Sequence, residues 1–434
     1  MTQSVFYFDA YHFEKTVGEV SFSYRVSDGS TFTEKIIFPN APFELNKEEE
    51  KALDQVLFLA HIACGISYYK AFLPDEIQVK SGTLTKAQAT FFDTYYLKGL
   101  GEFAIKNNLN LQGKINFPSG ESKTDTIALP FEQKALVPVG GGKDSCVVME
   151  LLKELNISAT GVACGGSKSQ SACAEKSGFP YITFKRIIDP KLMKLNESGQ
   201  SHNGHIPITG VLAFLLWTLA ILRHEKYVVM ACEKSANSGN MKQGNLIINH
   251  QWSKSFEFEK MFFDLTQEIT PDFQYFSLLR PISEAHIAKL FAEKCKTYFD
   301  VFTSCNKAFK LDLNKRLNRW CGACDKCRFV FLILAPFMDK KTLIRVVGTN
   351  PLDDENQMEG YRELLGLSGH KPFECVGEMD ECRWAFNQLK QNPVWQNDYV
   401  VKVLNVPNAP SPFDVSDEHL IPKELQDVMA KFRA

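Results

Sequence analysis

The sequence predicts an α/β protein: a parallel sheet covered by helices, with an α+β unit before it and a small helical region after it. Three observations carry this expectation. From Gln133 onward, apolar strand-like runs alternate with helical stretches, a pattern that makes successive strands parallel. Before that point, a run of period-two alternation ends in a turn and two helical stretches follow. The length of 434 residues exceeds one ordinary core, so two or three domains are expected.

In the first unit, placed at 1–130, Val20, Phe22, Tyr24 and Val26 alternate with polar residues and Asp28-Gly29 follows. That is a strand entering a hairpin turn. Residues 47–72 and 85–107 read as helices, the second opening on Thr85 and Gln88 at capping-box spacing. His61, inside the first helix, has no partner motif and reads as a packed or surface histidine. The central unit, placed at 131–348, contains the strands "KALVPV", "ISATGVA", "YITFKRI" and "KYVVMA". Its apolar run 208–222 is too short to span a bilayer comfortably and reads as a buried helix. The polar stretch "TNPLDDEN" opens the last region, 349–434, where Pro407, Pro410 and Pro412 mark a loop.

Hydrophobic residues make up 44% and charged residues 23%, an ordinary globular balance. The formal net charge of -2 argues against a protein built to grip nucleic acid. The start lacks the basic head and apolar core of a signal peptide. A cytoplasmic protein is expected, with neither nucleic acid nor membrane as partner; nothing in the pattern speaks to oligomeric state. In a reducing compartment the twelve cysteines point to metal or catalytic roles.

The stretch "VPVGGGKDSCVVMELLKE" places Gly140, Gly141, Gly142, Lys143, Asp144 and Ser145 between a strand and a helix. It is not a Walker A loop, since Val137 holds the first glycine position and Asp144 follows the lysine; a G-x-G-x-x-G pattern fails too. The chemistry still suits a phosphate. Glycines let the backbone approach an anion, and the amides and dipole of the following helix attract it. Lys143 can neutralise charge and Ser145 can donate a hydrogen bond. Asp144 would be repelled unless it faces a magnesium ion or an amide.

"RWCGACDKCRF" holds Cys321, Cys324 and Cys327, thiols spaced to converge on one ion, with Cys305 the best fourth ligand. A structural zinc is the first expectation and an iron–sulfur cluster its rival. "SHNGHIPITG" supplies His202, Asn203 and His205, "CEKSANSGN" supplies Glu233 and Asn237, and "NHQWSKSFEFEK" supplies His250 and Lys254. Polar residues this dense near strand ends suit a large polar substrate, although each segment also reads as a solvated loop. In "KPFECVGEMDECR", Glu374 and Cys375 are candidates for proton transfer, while Cys382 lies outside the metal motif; a buried cysteine beside a surface carboxylate is the plainer alternative.

"GGGKDS" resembles the S-G-G-x-D-S loop of the PP-loop ATP pyrophosphatases, with Gly140 where serine is usual. The cysteine spacing is similar to the zinc site of the PP-loop enzyme that makes 7-cyano-7-deazaguanine. With "NGHIPITG", "NHQWSKSFEFE", "RWCGACDKCRFVFLILAPF" and "KPFECVG", most of the chain resembles the UDP-N-acetyl-alpha-D-muramoyl-L-alanyl-L-glutamate epimerases, the MurL family. The resemblance implies a PP-loop (adenine nucleotide alpha hydrolase-like) domain, ATP and magnesium as cofactors, and a UDP-linked muramoyl dipeptide as substrate. It implies inversion of the terminal glutamate through an acyl-adenylate, with release of AMP and pyrophosphate, and a place in peptidoglycan precursor synthesis. Another PP-loop adenylating enzyme, a ligase or a base-modifying enzyme, is the alternative; a non-catalytic nucleotide-binding protein is a second.

Overall fold

The computed structural model describes residues 4–239, 241–243, 246–310, 315–369, 374 and 376–433. The chain opens with strands β1 (Val5–Glu14), β2 (Glu19–Val26) and β3 (Thr31–Ile37). Helices α1 (Lys47–Cys64) and α2 (Ile66–Phe72), strand β4 (Glu76–Val79), and helices α3 (Lys86–Gly99) and α4 (Gly101–Lys106) follow. Then come β5 (Glu132–Pro138), α5 (Lys143–Glu154), β6 (Ser158–Cys164), α6 (Lys168–Ser177), β7 (Tyr181–Ile187), α7 (Pro190–Glu197), α8 (Ile208–Arg223) and β8 (Glu225–Met230). Beyond them are the short β9 (Met241–Gln243) and β10 (Leu246–Ile248), α9 (Phe256–Ile269), β11 (Gln274–Ser277) and α10 (Glu284–Lys294). The helices α11 (Asp325–Leu334), α12 (Lys340–Val347), α13 (Met358–Leu364) and α14 (Met379–Gln391) close the main framework.

The large sheet runs in the order β11-β8-β5-β6-β7-β3-β2-β1-β4. Strands β5 and β8 are parallel, as the βα alternation requires, with Ala135 opposite Tyr227 and Leu136 opposite Val228. The α/β class and all four expected strands of the central unit are present. The expected purely parallel sheet is extended: β1, β2 and β3 form an antiparallel meander, and β3 pairs antiparallel with β7 through Ile36 and Arg186. The meander therefore joins the sheet instead of standing apart. An unpaired β7 would have left an edge of open amides, and β3 covers it.

By packing, the chain divides into two units, each discontinuous in sequence, which differs from the three linear segments expected. One unit comprises residues 1–136, 182–228 and 241–275. In it Thr85 and Gln88 close the expected capping box, with 3.2 and 3.0 Å hydrogen bonds. The helical stretch 47–72 is interrupted at Gly65, giving α1 and α2. His61 is packed, fully buried between Phe22 and Tyr24, with its ring nitrogens 3.1 Å from Ser81 Oγ and the Ser23 carbonyl. Helix α8 is buried on nearly every face and packs on α1, which explains an apolar run with no polar stripe.

The other unit comprises 137–181, 229–240 and 276–434. Helix α5 packs on α6 and α10, and α11 packs on α10, α13 and α14. The C-terminal helices thus share a core with the segment that holds the cysteine motif. Among the described residues no helix is long and apolar enough to cross a membrane.

Candidate active site

Gly140, Gly141 and Gly142 link β5 to α5, and two of them are fixed by close neighbours. Gly141 has a φ of +80°, and a Cβ there would lie 2.8 Å from Ser169 Oγ. A Cβ on Gly142 would lie 2.7 Å from Ser304 Oγ. Only glycine lets the backbone turn left-handed with two serine hydroxyls this near. A Cβ on Gly140 would meet nothing within 4 Å, so serine is absent there for no steric reason. The Thr303 amide donates to the Gly141 carbonyl at 2.8 Å. Gly142 caps α5 with no side-chain hydrogen bond, so the first amides of a twelve-residue helix have no capping acceptor. Such amides, with the helix dipole behind them, make an anion cradle. Ser145 is buried and its hydroxyl donates to the Gly142 carbonyl at 3.3 Å.

Lys143 is 2% exposed and forms ion pairs with Asp144 and Glu284, the first residue of α10. Burial works against its charge, but the two carboxylates outweigh it and hold the ammonium protonated above its ordinary range. Burial raises the Glu284 carboxyl, with Asp144 and Glu233 adding to the effect and Lys143 opposing it. Glu233 follows β8 and is buried; Ser235 Oγ donates to it at 3.1 Å, and Arg280 donates to its carbonyl at 2.8 Å. Asn237 is exposed in the same turn, 3.5 Å from Arg280 Nη1. Glu381, in the first turn of α14, is buried, and burial, with Glu284, Glu378 and Glu233 adding, raises its carboxyl above the ordinary range.

In the other unit, His205 is half-buried and its Nδ1 lies 3.2 Å from Glu102. Burial lowers its proton affinity, Glu102 opposes this, and His250, Lys106 and Lys254 add to the lowering. The structure therefore gathers His205, His250 and Lys254 from two separate sequence segments into one electrostatic neighbourhood. His202 and Asn203 are exposed; the His202 amide donates to the Ala71 carbonyl, and Asn203 accepts from Asn107 at 3.2 Å.

Cys305, Cys321, Cys324 and Cys327 converge as the spacing predicts, with their sulfurs all within 4.8 Å of one another. Three of the pairs lie 3.5, 3.7 and 3.9 Å apart. A tetrahedral zinc with bonds of about 2.3 Å requires about 3.8 Å between sulfurs. Cys324 is the residue that precedes α11, and Cys305 follows Thr303 and Ser304, the residues against the glycine loop. Filling the centre would therefore brace the loop. Cys324→Ser is expected to lower bound metal from about one per chain and to lower the melting temperature with it. Elemental analysis beside a thermal melt checks both; unchanged stability in a metal-free variant would contradict the bracing role.

Glu374 is half-buried and Cys375 lies outside the described residues. Cys382 is buried in α14, its thiol 3.7 Å from the Val376 carbonyl, and is not part of the four-thiol group. Sequence reasoning missed Glu284, Glu381 and the Ser167–Ser169 turn that meets Gly141. The last had a signal in "CGGSKS", a second glycine pair at the end of a strand. The glutamates had none, since each reads as an ordinary acidic residue in a first helical turn.

The sequence matches the family described as MurL N-terminal domain over residues 1–278 and that described as MurL C-terminal domain over 301–418. It is 40% identical over 442 residues to a protein of Xanthomonas oryzae pv. oryzae, covering 99% of this chain and 98% of the relative. It is 39% identical over 405 residues to one from a Micromonospora species, covering 92% and 90%. A Salinispora tropica protein is 39% identical over 407 residues, covering 92% and 88%. Each of these relatives bears the name UDP-N-acetyl-alpha-D-muramoyl-L-alanyl-L-glutamate epimerase.

Proposed function

The chain belongs to the MurL family, and from that membership we propose that it inverts the terminal L-glutamate of a UDP-linked muramoyl dipeptide, using ATP and magnesium. The observation that best supports an ATP-splitting step is the glycine cradle, with a buried lysine at its rim and uncapped helix amides at its floor. In the PP-loop reading the loop holds the departing pyrophosphate, and the substrate carboxylate receives AMP. Two carboxylates, Asp144 and Glu284, face Lys143 at the cradle. A polyphosphate would be repelled there without a divalent cation, which is the physical reason for magnesium.

Activation explains why an epimerase needs ATP. The α proton of a carboxylate is very weakly acidic, because its removal places a second negative charge beside the first. An acyl-adenylate removes that charge and turns the carbonyl into an electron sink, so a side-chain base of ordinary strength suffices. Return of a proton to the opposite face gives the D centre, and water releases AMP. Because the glutamate nitrogen is acylated, the alanyl carbonyl oxygen can attack the adenylate and close an oxazolone with loss of AMP. The close sulfur spacing supports a single zinc over a larger iron–sulfur cluster.

With ATP, magnesium and the dipeptide substrate, the nucleotide product is expected to be AMP, with pyrophosphate. Chromatography of the products tests this, and ADP with free phosphate would overturn the PP-loop chemistry.

A further inference from the structure

One buried carboxyl lies within the electrostatic reach of Glu284 yet forms no ion pair with the lysine of the glycine loop. Glu381 is 6% exposed, in the first turn of α14. Glu284, at the start of α10, is the charged neighbour with the largest effect on it. Its second oxygen, Oε2, has no hydrogen-bond partner among the described residues. A buried carboxylate oxygen left unpaired is costly, on the order of 1–3 kcal/mol or more, and calls for a function or a ligand. Gly377 packs against this oxygen: a Cβ there would sit 3.2 Å from Oε2 and 2.9 Å from the Phe329 ring, so only glycine lets the backbone come this near. Glu284 is also the ion-pair partner of Lys143 in the loop.

Two neighbouring carboxylates differ from it. Glu378 accepts from Ser238 Oγ, and Glu233 accepts from Ser235 Oγ. Glu381 alone among these three combines near-complete burial with an oxygen free of partners. Nor does the acidic group have the closeness of a metal site. Among the described residues, the only group of three or more metal-binding side chains with mutually close ligand atoms is the cysteine centre.

We propose that Glu381 takes the α proton from the activated glutamate, an inference that rests on the epimerase reading above. The acyl carbon activated at the cradle is bonded to the carbon that loses the proton, so the base must stand beside the loop. Glu381 does so through Glu284. In the step, the α proton passes to Glu381 Oε2 and the C–H electron pair moves into the activated carbonyl as an enolate. A solvent-derived proton delivered to the opposite face returns that pair to carbon, and Glu381 then releases the abstracted proton to solvent. Burial, with Glu284, Glu378 and Glu233 adding, raises the proton affinity of this carboxyl well above the ordinary carboxylate range, which makes its ionised form a stronger base.

The test separates activation from proton transfer. Substrate-dependent exchange of labelled pyrophosphate into ATP reports adenylation; deuterium on the glutamate α carbon after turnover in heavy water reports proton transfer. Glu381→Gln is expected to keep the exchange within a few-fold of the natural protein and to lose α-deuterium incorporation by about 10²–10⁴-fold. Glu381→Asp, which keeps the charge but shortens the reach, should show the same split with a smaller loss. Loss of both activities in a folded Gln variant would overturn the proposal and assign Glu381 to the nucleotide or its cation. Unchanged deuterium incorporation in the Gln variant would also overturn it. Should the Gln variant not fold, the Asp variant decides: equal loss of both activities counts against proton transfer. Absence of pyrophosphate exchange in the natural protein is a separate outcome, which removes the adenylation reading on which this proposal depends.

Discussion

Lys143→Met is expected to lower ATP cleavage by about a hundred- to a thousandfold, the size of effect seen when a positioned charge-stabilising donor is lost. It should also cost about 3–5 kcal/mol of stability, because it breaks a buried ion pair and leaves its partner uncompensated. The lysine is 2% exposed, and Glu284 is equally buried on the other side of the pair. Neutralising both should separate the two effects. Lys143→Met with Glu284→Gln is expected to recover most of the stability and none of the ATP cleavage. Denaturant melts and AMP release measure the two quantities independently. If the single variant kept ATP cleavage, the lysine would have only a structural role.

Gly141→Ala is expected to weaken ATP binding by about tenfold or more. A left-handed backbone costs a side-chain-bearing residue about 1–2 kcal/mol, and each 1.4 kcal/mol is about a factor of ten in affinity if the loop relaxes out of its binding shape. Here the new methyl would also press on Ser169 Oγ at 2.8 Å and the Gln170 amide at 3.3 Å. Adding Ser169→Ala removes the hydroxyl contact but not the backbone strain, so it should restore only part of the affinity. Calorimetric titration with ATP measures this. Full recovery in the double variant would show that crowding, and not the φ of +80°, is what demands glycine.

The parts of the molecule that were legible in the sequence are those written in short contiguous stretches. Six residues from Gly140 to Ser145 encode their own backbone geometry, and two C-x-x-C steps bring three thiols to one point whatever surrounds them. Strands β5 to β8 were legible because apolar runs bounded by helices have few other readings. The pairing of β3 with β7 was not, since alternation along a strand tells which face is buried and not which strand lies beside it. Glu284 and Glu381 were invisible for a related reason. Glu284 meets Lys143 across 141 residues of sequence, and nothing local marks either glutamate as buried. The histidine segments stand out in the sequence by polar density near strand ends. The fold gathers His205, His250 and Lys254, yet leaves His202 and Asn203 on the surface, because density does not distinguish a lining from a solvated turn.

The central claim is that ATP activation and inversion of a glutamate centre are one reaction of this chain. Incubation with ATP, magnesium and UDP-N-acetylmuramoyl-L-alanyl-L-glutamate, followed by hydrolysis and chiral analysis of the glutamate, tests it most directly. The account predicts D-glutamate in the product, formed only when ATP is present and in proportion to the AMP released. Glutamate that stays wholly L while the protein is folded and metal-loaded, or inversion that proceeds without ATP, would contradict it.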